Sequence, residues 1–295
     1  MQFYFSGVSS AAERSILEAA GVTHILVDPY QAPIVAGWLG DVALDSGAYA
    51  RFKGKRNPLT DEERQRVEVL RAWSFRVCDD TIGDPAATLA AWERQRSEPG
   101  IIPVWAWGAP VEHLARYLGE SQIVGIGGLV PLMRAATQLD PAGLAMLDEL
   151  EALCYQHPGR FHIFGINNLD AIQRLAVSVP VAGDLVPLGA SGDSSKHLDA
   201  GRYGQAIFIH ATTGALQATR ASRLPFAAGW DRATRCAEAA KAIHEFCNVR
   251  PATIRTWDEA RELQPVLRGR YDARAKARQR SAKSAATTTP TAAAD

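Results

Sequence analysis

The chain has 295 residues, with 32 Lys+Arg against 32 Asp+Glu and therefore no formal net charge. With 47% hydrophobic and 22% charged residues it can bury a large core, which excludes a wholly disordered chain. Overall neutrality excludes a globally basic nucleic-acid binder but not a local basic arm. Length alone suggests about two domains of roughly 150 residues, although α/β barrels of roughly 250 residues fold as one.

Short apolar runs predict strands at residues 3–6, 24–27, 42–45, 75–78, 102–106, 123–126, 162–165, 186–188 and 206–209. Amphipathic stretches between them predict helices at 10–20, 60–73, 85–96, 111–118, 141–155 and 169–177. Such alternation points to an α/β protein with a mainly parallel sheet, and eight or nine strands suit a (β/α)8 TIM-type barrel better than an open sheet. Ser10 followed by Glu13, and Thr60 followed by Glu63, have the spacing of a capping box, and Asp84 before Pro85 reads as an acidic N-cap.

Residues 231–247 (DRATRCAEAAKAIHEFC) form an Ala-rich amphipathic pattern with Cys236, Ala240, Ile243 and Cys247 at helical spacing, expected to cover one end of the barrel. The organisation expected is a barrel over 1–250, an extension over 251–270 and a disordered basic, Ala/Thr-rich tail over 271–295. From Arg268 onward seven basic residues stand against Asp272 and Asp295, so this end carries +5 and the body −5.

Cys78, Cys154, Cys236 and Cys247 are far apart with no CxxC pair, so a reducing, cytoplasmic setting without disulfides is expected. The first residues lack a basic start followed by a long apolar run, and no stretch approaches 18 uninterrupted apolar residues. Neither secretion nor a membrane partner is expected.

In a barrel, reacting groups come from the C-terminal ends of strands and the loops after them. Four segments place polar or glycine residues directly after an apolar run: residues 42–49 (VALDSGAY), 75–85 (FRVCDDTIGDP), 123–130 (IVGIGGLV) and 189–197 (GASGDSSKH). Three deliver a carboxylate, namely Asp45, Asp79 or Asp80, and Asp193, while the fourth offers bare backbone at Gly127 and Gly128. A single such Asp is commonly a helix N-cap. Three beside a Gly-Gly pair are costly unless a site uses them, because like charges on one rim repel. One could act as nucleophile and another as general acid/base, with the glycine backbone admitting a flat ligand edge.

Other chemistries have less support. Asp193 with His197, or His244 with Cys247, lack a second matching pair of metal ligands, so no metal is expected. No GxxxxGK[ST] or GxSxG occurs, and the run Gly125, Ile126, Gly127, Gly128 departs from the dinucleotide fingerprint at Val130. Trp105 and Trp107 share one face of a strand, where core packing and a stacking wall for a purine at Trp107 are alternatives. His210 and Thr212 carry the same ambiguity.

At these residues the chain resembles the tRNA-guanine transglycosylase superfamily, and most closely its branch that inserts 7-deazaguanines into DNA in phages and bacteria. Residues 45–49 (DSGAY), followed by RFKGK, are similar to that branch's DSGAF segment and to DSGGFQ of the tRNA enzymes. Residues 80–89 (DTIGDPAATL) resemble its DVIGDPEATL element and 126–130 (IGGLV) its GGL loop. Residues 193–197 (DSSKH) with 201–204 (GRYG) resemble DSSSW…RYG. The matches follow the family order over residues 2–250.

The resemblance implies a (β/α)8 barrel that exchanges guanine for a 7-deazaguanine through a covalent glycosyl-enzyme ester, without a cofactor. Its partners would be DNA and a free 7-deazaguanine base, with tRNA as the alternative polynucleotide and a non-catalytic nucleic-acid-binding relative as another alternative. Asp193 corresponds to the nucleophile and Asp45 to the general acid/base. Asp80 would bind the base edge, Asp79 being the fallback, with Ser46, Gly127, Gly128 and Leu129 lining its pocket. Because a base cannot react inside the stack, its nucleotide must be flipped out. Lys53, Lys55, Arg56, Lys196 and Arg202 are candidate phosphate contacts. Two departures stand out: the CxCxxC…H zinc spacing of the tRNA enzymes is absent, which leans toward DNA, and His197 replaces the tryptophan expected after DSSS.

Overall fold

The structure, a computed structural model, describes residues 1–250. The expected extension and tail, 251–270 and 271–295, lie outside the described residues.

Alternating strands and helices build one layered α/β unit. The first half runs β1 (Gln2–Phe5), α1 (Ala11–Ala19), β2 (His24–Val27), β3 (Asp41–Leu44), α2 (Ala48–Phe52), α3 (Asp61–Glu68), β4 (Arg76–Val77), α4 (Pro85–Gln95), β5 (Ile101–Ile102), β6 (Val104–Ala106) and α5 (Val111–Glu120). The second runs β7 (Val124–Gly127), α6 (Val130–Thr137), α7 (Pro141–Gln156), β8 (Phe161–Ile163), α8 (Leu169–Leu175), β9 (Ser178–Val181), β10 (Asp184–Pro187), β11 (Ser191–Ser194), α9 (Lys196–Arg202), β12 (Gln205–Ile209), β13 (Leu216–Arg220) and α10 (Arg232–His244).

Nine strands form a parallel sheet in the order β5-β4-β3-β2-β1-β11-β8-β7-β6. Its two end strands are separated in the chain only by Pro103. The Ile102 carbonyl accepts from Cys78 N (2.9 Å) on one side, and the Pro103 carbonyl accepts from Gly125 N (2.8 Å) on the other. The sheet therefore comes back almost to its starting point, a nearly closed, barrel-like arrangement consistent with a TIM-type barrel.

The two-residue period of the strands sorts the core. Tyr4, Leu26 and Ala43 form a small buried cluster with Phe75 and Phe164 packed on it, while Phe3, Phe5, Ile25, Val27, Val42 and Leu44 belong to the larger core. Gly125 makes room within this packing: a Cβ there would sit 2.4 Å from Cε2 of Phe164.

The structure corrects several expectations from the sequence. The runs at 186–188 and 206–209 are strands but lie outside the main sheet, in the antiparallel hairpins β9–β10 and β12–β13. The strand beside β1 is instead β11, whose sequence Ser-Gly-Asp-Ser has no apolar run at all. Such a run is unnecessary there, because Ser191 and Asp193 bond to polar neighbours and Gly192 fits against Ile166, whose Cδ1 would lie 2.4 Å from an added Cβ. The short helices α2, α6 and α9 had no clear apolar period to announce them, and α3 stops at Glu68. His210 and Thr212 fall in the turn between β12 and β13.

Capping follows the sequence closely. Thr60 and Glu63 make both bonds of a capping box, and Asp84 accepts from Ala87 N (2.9 Å). Ser10 accepts from Glu13 N (3.2 Å), but the Glu13 carboxylate turns back to Ser9, so that box is half formed.

Helix α10 packs along α9, α1 and the β12–β13 hairpin rather than across an end of the sheet. It ends in a π-turn, Glu245–Val249, where the Asn248 side chain accepts from Phe3 N (2.7 Å) and donates to Phe3 O (3.1 Å). A side-chain amide thus imitates a neighbouring strand and fastens this turn to β1. All four cysteines are buried and free.

Candidate active site

The C-terminal ends of β3, β4 and β11 bring three aspartates into electrostatic reach of one another. Asp45 follows β3 directly and its backbone N–H bonds the Val27 carbonyl (2.8 Å), which anchors it to the neighbouring strand β2. Burial, and then the carboxylates of Asp80 and Asp193, push its pKa up to about 8, against the opposing hydrogen bond from Ser46 N (2.9 Å). Both causes penalise the charged form, so Asp45 carries its proton at neutral pH.

Asp80 and Asp79 end up in different surroundings. The Ser46 hydroxyl donates to Asp80 Oδ1, and burial raises the Asp80 pKa as well. Asp79 accepts from Arg64 (3.0 Å) and Gln95 (3.3 Å), on α3 and α4, where it holds helices in place. Of this pair, Asp80 is the one joined to Ser46 beside Asp45.

Asp193 is 5% exposed. Its strand register places it opposite Tyr4 of β1, and its Oδ1 accepts from Gly165 N (3.1 Å). Nε2 of the fully buried His162 faces the same oxygen at 3.5 Å, and His162 Nδ1 lies 2.8 Å from the Ser191 hydroxyl.

Beside the carboxylates lies a cavity of about 570 Å³. Asp80, Trp107, Gly127 and Gly128 line it with Lys53. Gly128 has φ 77°, a conformation open mainly to glycine, and so turns the chain at the cavity wall without a side chain. Leu129 is fully buried and lies outside the lining. Asp45, Ser46 and Asp79 open on a second cavity of about 440 Å³, and Asp80 borders both. Asp193 borders neither.

The expected phosphate contacts are scattered. Lys53 lies over Tyr49 (5.6 Å) and Phe52 (5.5 Å), and the Arg56 guanidinium over Tyr30 (5.5 Å). Lys55 is exposed in the same segment. Lys196 is partly buried, which lowers its pKa. Arg202, in the last turn of α9, is carried away from the rim and faces Asp199 at 3.8 Å.

Several site residues escaped sequence reasoning. Arg51 donates to the Ser46 carbonyl (2.6 Å) and the Asp80 carbonyl (3.3 Å), tying β3 to β4. Tyr49, Phe52, Ile82, His113 and Arg134 also line the cavity. The basic stretch after DSGAY was a signal for Arg51 and Lys53; His162, inside an apolar run, gave none. His197 is buried edge-on to Phe5 (5.3 Å) with its pKa pushed down to about 4, a neutral packing residue in α9.

Among the described residues no cluster of His, Cys, Asp or Glu is arranged to hold a metal, and no helix is long and apolar enough to cross a membrane. In comparisons with known proteins, no family model matches the chain and no curated protein matches it.

Proposed function

We propose that this protein is a base-exchange enzyme that replaces guanine with a 7-deazaguanine in DNA, on a (β/α)8 barrel in which β5 and β6 count as one strand interrupted at Pro103. The observation that carries the reading is the convergence of Asp45, Asp80 and Asp193 at three strand ends, with Asp45 protonated at neutral pH. The resemblance of the four rim segments supplies the substrate class.

In this reading Asp193 attacks C1′ of a flipped-out deoxyguanosine as the C1′–N9 bond breaks, its electron pair leaving with the guanine. Asp45 gives its proton to that guanine, and an aspartyl ester to C1′ remains. The incoming 7-deazaguanine returns its N9 proton to Asp45 and attacks C1′, and the C–O bond breaks to restore the Asp193 carboxylate. Asp80 accepts hydrogen bonds from the base edge, Trp107 stacks on its face, and the Gly127–Gly128 backbone admits its flat rim. Lys53, Lys55 and Arg56 hold phosphates next to the cavity.

The test is nucleoside analysis of DNA and tRNA from cells that express the protein and are supplied with a 7-deazaguanine. Modified deoxyguanosine in DNA, lost in Asp193→Asn, is the expected result. Modification in tRNA alone would move the substrate to tRNA, and exchange that survives Asp193→Asn would overturn the nucleophile.

A further inference from the structure

We infer that His162 is a positioning residue that presents Asp193 for attack, an inference that rests on the base-exchange reading. His162 sits in β8 with no exposed surface, and its ring is enclosed edge-on by Tyr4 (6.1 Å), Phe75 (5.0 Å) and Phe164 (4.5 Å). A polar ring so enclosed costs free energy unless both nitrogens are satisfied. Nδ1 has the Ser191 hydroxyl at 2.8 Å, whereas Nε2 has no hydrogen-bond partner and is aimed at Asp193 Oδ1, 3.5 Å away.

The carboxylate selects the tautomer. The Ser191 hydroxyl can donate to or accept from Nδ1, so it accommodates the tautomer whose ring proton is on Nε2, facing the carboxylate. The opposite tautomer would set a lone pair against a carboxylate oxygen. Oδ1 is then approached by two N–H groups, from Gly165 and His162, and Oδ2 is the oxygen left for C1′.

The Gly165 N–H bonded to Oδ1, with the His162 ring standing 3.5 Å from the same oxygen, fixes the plane of the carboxylate. The two groups also stabilise the carboxylate as a leaving group when the second base arrives. The ring serves the nucleophile from below without touching substrate, in the manner of groups that orient a catalytic side chain.

The experiment follows formation of the covalent protein–oligonucleotide adduct on denaturing gels, together with kcat and KM for steady-state exchange, using the full chain. His162→Phe keeps a ring among the aromatic neighbours but removes the donor; His162→Gln can place an amide N–H near the position of Nε2. We expect His162→Phe to lower kcat about 10–100-fold with KM changed less than about threefold. His162→Gln should recover part of the rate, and Ser191→Ala, which leaves Nδ1 without its partner, should lose rate in the same direction but less.

Thermal unfolding of each variant separates a folding defect from a positioning one. Adduct formation and kcat unchanged in both His162→Phe and Ser191→Ala would overturn the inference while leaving the exchange reading intact. Equal impairment of the Phe and Gln variants in a folded protein would overturn it too. Absence of any adduct with the unaltered protein would overturn both.

Discussion

The Ser46 hydroxyl donates to Oδ1 of Asp80, and the same oxygen of Ser46 accepts from Ala48 N at 3.0 Å. One side chain therefore joins the ends of β3 and β4 and starts α2. This bond relieves part of the cost of keeping Asp80 buried, while the negative charge it stabilises raises the Asp45 pKa. Ser46 thereby helps give two neighbouring carboxylates different environments, and in the proposed reading these become a base-binding group and a proton carrier.

Exchange should depend on Asp45 holding a proton. Asp45→Asn is expected to lower kcat by about 10²–10⁴-fold, the usual contribution of general acid–base catalysis. In the unaltered protein the rate should fall as pH rises through about 8, and this limb should vanish in the variant. Asp80→Asn removes a like charge, so it should shift the limb to lower pH. A pH–rate profile of kcat for the three proteins decides the point.

The same carboxylate should cost stability. Its folded pKa of about 8 lies above the ordinary 3.8, so between these values the folded state binds the extra proton and stability falls as pH rises. Below pH 4 both states are protonated and the penalty is absent. Asp45→Asn should thus be more stable than the unaltered protein near pH 8, by several degrees in Tm, with the gap closing toward pH 4. Calorimetry across that range measures it, and a gap that grows toward acid pH would contradict the sign.

Trp107 stands in the cavity wall beside Gly128, its backbone N–H bonded to the Gly127 carbonyl at 3.0 Å. If a base stacks there, Trp107→Ala should raise KM for the free 7-deazaguanine about tenfold and leave kcat within about threefold, because stacking contributes about 1–3 kcal/mol per base. A variant that changes kcat alone would place Trp107 outside the base site.

In the segment carrying Lys53, Lys55 and Arg56, Lys53 lines the cavity. Replacing all three with Gln should weaken duplex DNA binding and reduce the slope of log affinity against log salt by about 2–3, since each phosphate contact contributes about 0.9. Titrations at several salt concentrations test this. Replacing Arg202, which faces Asp199 away from the rim, should leave the slope unchanged.

How far the sequence spoke can be judged from particular residues. Alternating apolar runs foretold β1 to β4, and local cap chemistry foretold the starts of α3 and α4, because both depend on neighbours only a few residues away. Asp45, Asp80, Gly127 and Asp193 were legible as strand-end residues in ordered motifs. Three things needed the tertiary structure. Ser-Gly-Asp-Ser became a strand because β1 and β8 supply its hydrogen bonds and its side chains face polar partners, so no apolar period marks it. Asp80 was separated from Asp79 because one meets Ser46 and the other meets Arg64, contacts spanning 34 and 15 residues. His162 acquired its direction because Ser191 and Asp193, 29 and 31 residues further on, stand on the adjoining strand β11. The sequence determined which reactive side chains were present; the fold, through desolvation and contacts between distant residues, decided which carboxylate is driven toward its protonated form and which oxygen of Asp193 meets the Gly165 N–H.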